Sequence, residues 1–329
     1  MTNVRRACGL LLALLLLAGH AALARESVRP GAGNGPTEVE ALIAVVDIDA
    51  VRVADNSYEA SIYYRLTWTD PRLAVPLAER PPDSQIWTPI VGVGNQQNSW
   101  NVLPSTIDIS EEGRVTMHRH IWASLSQPLD LRRFPFDSQV FRVTLLTPTA
   151  PEALRFVPDA TLSSGVAAAT SVPDWRFTGS NARGLALRLS EQKPATAAFV
   201  LEITAERRPL YYVYTMILPL LVIAGMSLVA FWIEPENYVA RLGVASTSML
   251  TVVTYRVAAV QILPRTAYFT DMDVFILGAT MLVFVSLIAV VLTMMLVRRG
   301  GGERVRRIDA LIRVLHPAAF LCLGVLAFR

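Results

Sequence analysis

The sequence predicts two parts in one chain, an exported, immunoglobulin-like antiparallel β-sandwich followed by a four-helix transmembrane bundle. Three observations lead to this fold class. A short apolar run follows two arginines at the N-terminus, alternating apolar residues recur up to about residue 206, and long apolar segments fill the remainder. With 53% hydrophobic and 17% charged residues and a mean hydropathy of +0.40, the 329-residue chain is too apolar for an ordinary soluble globule.

Residues 1–24 have the pattern of a cleaved secretory signal peptide. Two arginines precede an apolar run from 10 to 18, and small residues spaced as at a signal-peptidase site follow. The run is shorter than the ~20 residues that a membrane span needs, which favours cleavage over an uncleaved anchor. Cys8 lies in this segment and Cys322 near the other end, so an intrachain disulfide is not expected in the mature protein.

Residues 25–206 are predicted to form the sandwich. Short runs of alternating apolar and polar residues recur there, separated by turn clusters such as Ser110-Glu-Glu-Gly113. Runs of this length and spacing are typical of antiparallel sheets, and no long amphipathic helix pattern interrupts them. The predicted strands lie at 39–53, 58–68, 114–125, 139–146, 175–177, 185–189 and 198–204.

Residues 207–329 are predicted to form the transmembrane domain, with spans at about 210–233, 241–263, 274–297 and 308–328. The first three segments are long enough to cross ~30 Å of hydrocarbon as helices. The fourth is weaker, because a His-Pro pair interrupts it. Five arginines lie between the third and fourth segments. By the positive-inside rule this loop is cytoplasmic, which puts the sandwich on the opposite side, in agreement with the signal peptide.

The second hydrophobic segment carries polar residues where a lipid-facing helix would have only apolar ones. Steps of four and three residues place them in one stripe on a single helix face. The stripe consists of Gly243, Thr247, Leu250, Thr254, Val257 and Gln261. Rows of hydroxyls can bond to backbone or hold helices together, and they can also line water when several copies surround a pore. The residues alone leave both interpretations open, and a pore requires an oligomer.

A turn with two large aromatic residues, Phe134-Pro135-Phe136, precedes the strand predicted at 139–146. Proline fixes φ and has no N–H to give to a sheet, so the strand begins after this segment. The two rings can cap the core of the sandwich, or they can dock into another layer of the molecule.

Five short motifs give the chain a resemblance to a known family. They are Trp68-Thr-Asp70, Trp87-Thr-Pro89, the loop from Pro128 to Gln139, Arg207-Arg-Pro209 and Ile262-Leu-Pro-Arg265. Their order and separations, together with the signal and four spans, resemble the pentameric ligand-gated ion channels of the cysteine-loop receptor superfamily. The two cysteines that close the loop in animal receptors are replaced by Gln127 and Phe141, which resembles the prokaryotic branch.

The resemblance implies a homopentameric channel for inorganic ions in a bacterial inner membrane, with the N-terminal domain periplasmic and the helices in contact with membrane lipids. The stimulus would be an unknown small-molecule agonist or protons. Leu250 and Val257 would line the constriction, and the loop at residue 135 would dock on the membrane helices, with Asp137 paired to Arg207. The implied gating interface is Phe134, Pro135, Phe136, Asp137, Arg207, Pro264 and Arg265.

Charge selectivity is read from the residues before the pore stripe. The stretch 238–243 has no acidic residue and resembles a pattern of animal anion channels, whereas Glu234 and Glu236 could supply a negative ring from a neighbouring position. We expect cation selectivity, because the characterised prokaryotic relatives are mostly cation channels. Anion selectivity is the alternative.

The candidate ligand-binding residues are Trp68, Trp87, Trp122, His118 and His120. Aromatic rings can box a cationic ligand, although tryptophans on strands are more often part of the core. His118 and His120 lie two residues apart on one predicted strand, hence on one face, and are candidate proton sensors. Asp108 and Glu202 are rivals for that role.

Other classes of function fit the sequence less well. It contains no nucleophile elbow, no histidines at metal-ligand spacing and no phosphate-cradling glycine loop. We therefore expect no enzyme activity, no cofactor, no metal site and no nucleic-acid partner. A membrane-anchored binding or sensor module without a pore remains an alternative, but it does not explain the polar stripe of the second span.

Overall fold

The computed structural model describes residues 28–168, 170–262 and 266–329, and the predicted signal peptide lies outside them. Within these ranges the chain forms a two-sheet β-sandwich followed by four long helices, which is the predicted fold class.

Ten strands build the described part of the sandwich. They are β1 (Thr37–Arg52), β2 (Ser57–Thr69), β3 (Gly92–Val93), β4 (Gln96–Ile109), β5 (Arg114–Ser126), β6 (Ser138–Leu146), β7 (Leu154–Pro158), β8 (Gly165–Val166), β9 (Trp175–Leu187) and β10 (Thr196–Arg207). The larger sheet has the order β4-β5-β2-β1-β7, with β8 also on β1, and the smaller sheet has the order β3-β6-β10-β9. All pairs are antiparallel except those that β7 and β8 make with β1.

The core of the sandwich follows from the period of two along each strand, because successive side chains point to opposite faces of a sheet. On β5, Val115, Ile121 and Ala123 are buried, while the histidines between them lie on the opposite face. Between the sheets, Phe141 packs edge-on against Tyr58 with ring centroids 5.0 Å apart. The outer face of the larger sheet is accessible and carries both polar and aromatic side chains.

Four helices follow the sandwich, and all of them are long and apolar enough to cross a membrane. They are α1 (Leu210–Trp232), α2 (Tyr238–Ile262), α3 (Asp271–Arg298) and α4 (Gly302–Ala327). Near its start, α1 has a π-helical turn just before Pro219, whose missing N–H interrupts the regular ladder. The α4 helix continues through Pro317. A capping box between Thr270 and Asp273 starts α3.

Candidate functional site

The predicted stripe forms one exposed face of α2. All six of its residues are solvent-exposed in the single chain, including Leu250 and Val257, which are 69% and 63% exposed. The opposite face buries Ala245 and Val252 against the other helices. Met249, one residue before Leu250, packs against the hydrophobic core of the bundle. The six stripe residues are thus among those that the bundle of the single chain leaves uncovered.

Hydroxyl groups on α2 donate to the carbonyl one turn earlier. Thr254 Oγ1 donates to the Leu250 carbonyl at 3.0 Å, and Thr251 Oγ1 donates to the Thr247 carbonyl at 2.8 Å. These bonds satisfy the hydroxyl protons and leave the oxygen lone pairs free to accept from water. The backbone bonding that the sequence suggested as one interpretation is therefore present, and it is compatible with a face that contacts water.

The aromatic turn before β6 docks into the helical layer. The Phe134 ring is buried and meets the Tyr212 ring of α1 edge-on, with centroids 4.8 Å apart. The Phe136 ring meets the Phe328 ring beyond the end of α4, with centroids 5.2 Å apart. The two rings thus connect the sandwich with the first and fourth helices.

A buried ion pair lies beside the docked rings. Arg207, the last residue of β10, donates from Nε to Asp137 Oδ1 at 2.6 Å and from Nη2 to Oδ2 at 3.1 Å. Gln139 Nε2 donates to the same carboxylate at 2.7 Å. Because two parallel charge-assisted bonds fix the planar guanidinium, this pair has a defined geometry as well as strength.

Three aromatic rings surround the guanidinium of Arg207. Its central carbon lies 4.3 Å from the ring centroid of Trp175, 5.0 Å from that of Phe134 and 5.7 Å from that of Tyr212. Ring faces attract a cation, and the desolvated setting strengthens that attraction. The last strand, the aromatic turn and the first helix therefore meet at one charged group. Trp175 and Tyr212 were not identified from the sequence, where nothing in their spacing marked them.

The segment before α3 makes a further contact with the same loop. Tyr268 Oη accepts a hydrogen bond from the Leu131 N–H at 2.9 Å, and the Asp271 N–H donates to the Arg132 carbonyl at 2.8 Å. The Arg132 guanidinium lies 5.5 Å from the Tyr268 ring centroid. Pro264 and Arg265, which the family resemblance placed at this junction, lie outside the described residues.

Two of the five candidate ligand residues lie in the core. Trp68 is only 2% exposed and meets Trp87 edge-on, with ring centroids 5.6 Å apart, and Trp87 packs against the core cluster. Trp68 lies at an inward-facing position of β2, between the two sheets. Trp68 therefore has the environment of a core residue, whereas Trp87 is half-buried at the edge of the core.

Trp122 has a different setting, on the outer face of β5. Its Nε1 donates to Asp49 Oδ2 at 2.7 Å, and its ring stacks on Trp100 of β4 with centroids 4.0 Å apart and planes 18° apart. Trp100 is 56% exposed. The stacked pair forms one wall of an open cavity of about 540 Å³, whose other lining residues include Arg52 and Glu59. Trp100 was missed because β4 lacks the alternation that marks a strand.

The two candidate histidines lie on the same outer face, and their environments differ. His118 Nδ1 is 2.5 Å from Tyr63 Oη, and its Nε2 is 3.3 Å from Asp108 Oδ2. His120 Nε2 is 2.8 Å from Ser61 Oγ. Partial burial, with the Asp108 carboxylate adding to it, raises the pKa of the Tyr63 phenol. His118 is thus the histidine that bridges three strands and faces a carboxylate.

The residues considered for charge selectivity lie at the opposite end of the bundle. Arg241, in the first turn of α2, is buried and bound to Asp309 of α4. Glu234 and Glu236 are exposed, and Glu236 lies 3.6 Å from Arg306. Arg241 therefore does not project from α2 as a free charge.

Together these features define a multi-pass membrane protein whose extracellular β-sandwich is docked on its own spans and whose second helix presents a polar face. Residues 19–149 match the ligand-binding domain of the neurotransmitter-gated ion channels, and residues 216–307 match the transmembrane region of the same channels. The chain belongs to the neurotransmitter-gated ion-channel family, the cysteine-loop superfamily. Members of this family are pentameric, ligand-gated ion channels and not enzymes.

A curated relative supports the same assignment. Over 275 residues the chain is 26% identical to the gamma-aminobutyric acid receptor subunit beta of Caenorhabditis elegans, covering 79% of this chain and 50% of the relative. The chain thus spans about half the length of the curated relative it matches.

Proposed function

We propose that five copies of this chain form a ligand- or proton-gated ion channel of the prokaryotic branch, in a bacterial inner membrane. Residues 1–24 are removed as a signal peptide, residues 25–206 form the periplasmic domain, and residues 207–329 cross the membrane four times. The membership in a family of pentameric channels supports this assembly. Gln127 and Phe141, in place of a cysteine pair, support the prokaryotic branch.

The observation that carries the proposal is the uncovered stripe on α2. In the pentamer, five stripes of Gly243, Thr247, Leu250, Thr254, Val257 and Gln261 line one aqueous pathway. A single bundle gains nothing from an exposed hydroxyl row in hydrocarbon, since unsatisfied polar groups are costly there. Rings of Leu250 and Val257 form a hydrophobic constriction that dewets when it is narrow and conducts when it is wide.

The junction below the sandwich transmits the stimulus to the pore. The Asp137–Arg207 pair and the rings of Phe134 and Phe136 couple the sandwich to α1 and α4. Tyr268, in the segment before α3, is hydrogen-bonded to the same loop. A ligand then opens the channel through its higher affinity for the sandwich in the open state.

The stimulus acts on the outer face of β5. The open cavity beside Trp122 and Trp100 can hold a small molecule that has a group able to pack against an indole ring. The cavity provides both indole surface and polar groups. Protons are the alternative stimulus, acting through His118, because its ring lies between a phenol and a carboxylate.

We propose cation selectivity. The support is that the charge of Arg241 is paired inside the bundle, while Glu234 and Glu236 are exposed next to the start of α2. Anion selectivity is the second candidate, favoured by the similarity of the stretch 238–243 to a pattern of animal anion channels and by the match to an animal gamma-aminobutyric acid receptor subunit.

Two measurements on the purified protein test this function. Native mass spectrometry of the detergent-solubilised complex should give the mass of five chains, and a monomer or dimer under gentle conditions would contradict the assembly. Reversal potentials in planar bilayers under bi-ionic conditions, recorded over a pH series, should show cation-selective currents. Anion-selective currents would leave the channel proposal intact and reject the selectivity.

A further inference from the structure

At the end of the bundle remote from the sandwich, α2 and α4 are joined by a buried ion pair. Arg241 Nη2 donates to Asp309 Oδ1 at 2.6 Å, and the two side chains are only 3% and 1% exposed. No other pair that joins two of the described membrane helices is buried to this extent. The pair lies two residues before Gly243, the first residue of the stripe.

The end of α1 closes over the same pair. The Arg241 guanidinium carbon lies 5.6 Å from the ring centroid of Phe231. Arg313, one turn after Asp309, donates from Nε and Nη2 to the Phe231 carbonyl at 3.0 and 2.7 Å. Three helices thus enclose the Arg241–Asp309 contact and keep water away from it.

The pair is incompletely hydrogen-bonded. Within the described residues, Arg241 Nε and Asp309 Oδ2 are buried and have no hydrogen-bond partner. A buried ion pair with unmet hydrogen bonds contributes little net stability, because the desolvation of both charges offsets their attraction. The main consequence of the contact is that Asp309 neutralises the positive charge of Arg241 in a low-dielectric region.

We infer that Asp309 is a selectivity-determining residue, which neutralises Arg241 and so keeps a ring of five positive charges from acting on ions at the inner mouth. This inference rests on the proposed channel function. Along the helix axis Arg241 is about 3 Å from Gly243, at ~1.5 Å per residue. At a distance of ~10 Å and an effective dielectric constant of ~20, one unpaired charge changes ion occupancy on the order of tenfold.

The test compares Asp309→Asn with Arg241→Gln in the full-length pentamer. Asparagine keeps an oxygen for the Arg241 N–H and removes the negative charge, so the permeability ratio of K⁺ to Cl⁻ should fall on the order of tenfold. Arg241→Gln leaves Asp309 negative and should shift the ratio in the opposite direction. The double variant should return to the wild-type ratio. Glu303→Gln removes an exposed charge of α4 and is the matched control, with no expected shift.

Each outcome has a defined meaning. The reversal potential of each single variant is measured in a KCl gradient. Shifts in opposite directions support the inference, because loss of a merely structural contact would shift both reversal potentials in the same direction. Unchanged reversal potentials in conducting single variants overturn it. If Asp309→Asn does not assemble, the permeability ratio of Arg241→Gln is the test. A shift of that ratio towards cations supports the inference, and an unchanged ratio overturns it. A wild-type protein that carries no current under any stimulus rejects the proposed channel instead.

Discussion

Arg207, the last residue of β10, and Asp137, in the turn before β6, are 70 residues apart in the chain and form a bidentate ion pair that is almost fully excluded from solvent. The pair stands where the sandwich, the aromatic turn and α1 converge. Because two bonds and three rings fix its geometry, we expect a change in the position of β10 to be passed to the turn that contacts the helices.

Breaking this pair should uncouple the sandwich from the pore. Arg207→Ala or Asp137→Ala leaves its partner buried and unpaired, at a cost of ~3–5 kcal/mol. We expect folded pentamers with strongly reduced currents. The matched control is Glu206→Gln, which breaks the exposed Arg176–Glu206 pair on the adjacent strands and should change stability and currents little. Normal currents from Arg207→Ala would reject a coupling role for the pair.

Asp159 should make the stability of the sandwich depend on acidic pH. Partial burial alone would raise its pKa, but hydrogen bonds from Thr161, Arg65 and the Leu162 N–H outweigh it and lower the pKa to about 2. Since the unfolded value is about 3.9, the stabilisation is fully present above pH ~4 and is lost as the pH falls towards 2.

Thermal melts of the detergent-solubilised protein between pH 3 and 7 check this dependence. Asp159→Asn should lower the melting temperature most at pH 6 to 7, and the difference from wild type should shrink as the pH falls below 4. Asp130→Asn, at a largely exposed position, is the control. A difference that stays constant or grows on acidification would contradict the assignment.

His118 should carry any proton response of the sandwich. In the neutral imidazole one nitrogen accepts a hydrogen bond, whereas in the protonated ring both nitrogens donate. Protonation of His118 therefore strengthens its contact with Asp108 and makes Nδ1 the donor in the bond with Tyr63 Oη. Arg65, next along β2, is the nearby positive group that opposes this change. If protons open the channel, His118→Gln should remove most of the change in current on acidification.

His120→Gln provides the comparison for that experiment, because its ring contacts a serine hydroxyl and no carboxylate. Current recorded against pH for both variants and the wild type makes the test. A larger effect of His120→Gln than of His118→Gln would place the sensor elsewhere on the sheet.

The sequence predicts an element well where only one of its faces is buried. The alternation of β2, β5 and β6 follows from one face in the core, and all three strands were found. β4 was not, because nearly all of its residues are exposed and no period of two arises. β9 was predicted as two short strands, since its middle, around Gly179, is exposed on both faces.

The same reasoning explains which parts of the candidate site can be predicted from the sequence. The stripe of α2 depends only on helical spacing, and the Asp137–Arg207 contact was expected from the family resemblance. Three other contacts could not be predicted, because they join distant segments and no local sequence pattern indicates them. They are the contacts of Trp100 with Trp122, of Tyr268 with the loop before β6, and of Asp309 with Arg241.

The central claim is that the stripe of α2 lines a conducting pore, and Leu250→Ser tests it without knowledge of the agonist. A smaller, polar side chain at the constriction should wet it, so proteoliposomes with this variant should leak ions without any stimulus. Met249→Ser is the control, since Met249 is rotated about 100° round the helix and packs against the bundle. We predict a leak with Leu250→Ser and none with Met249→Ser. Equal flux from both variants, or a leak from Met249→Ser alone, would contradict the account.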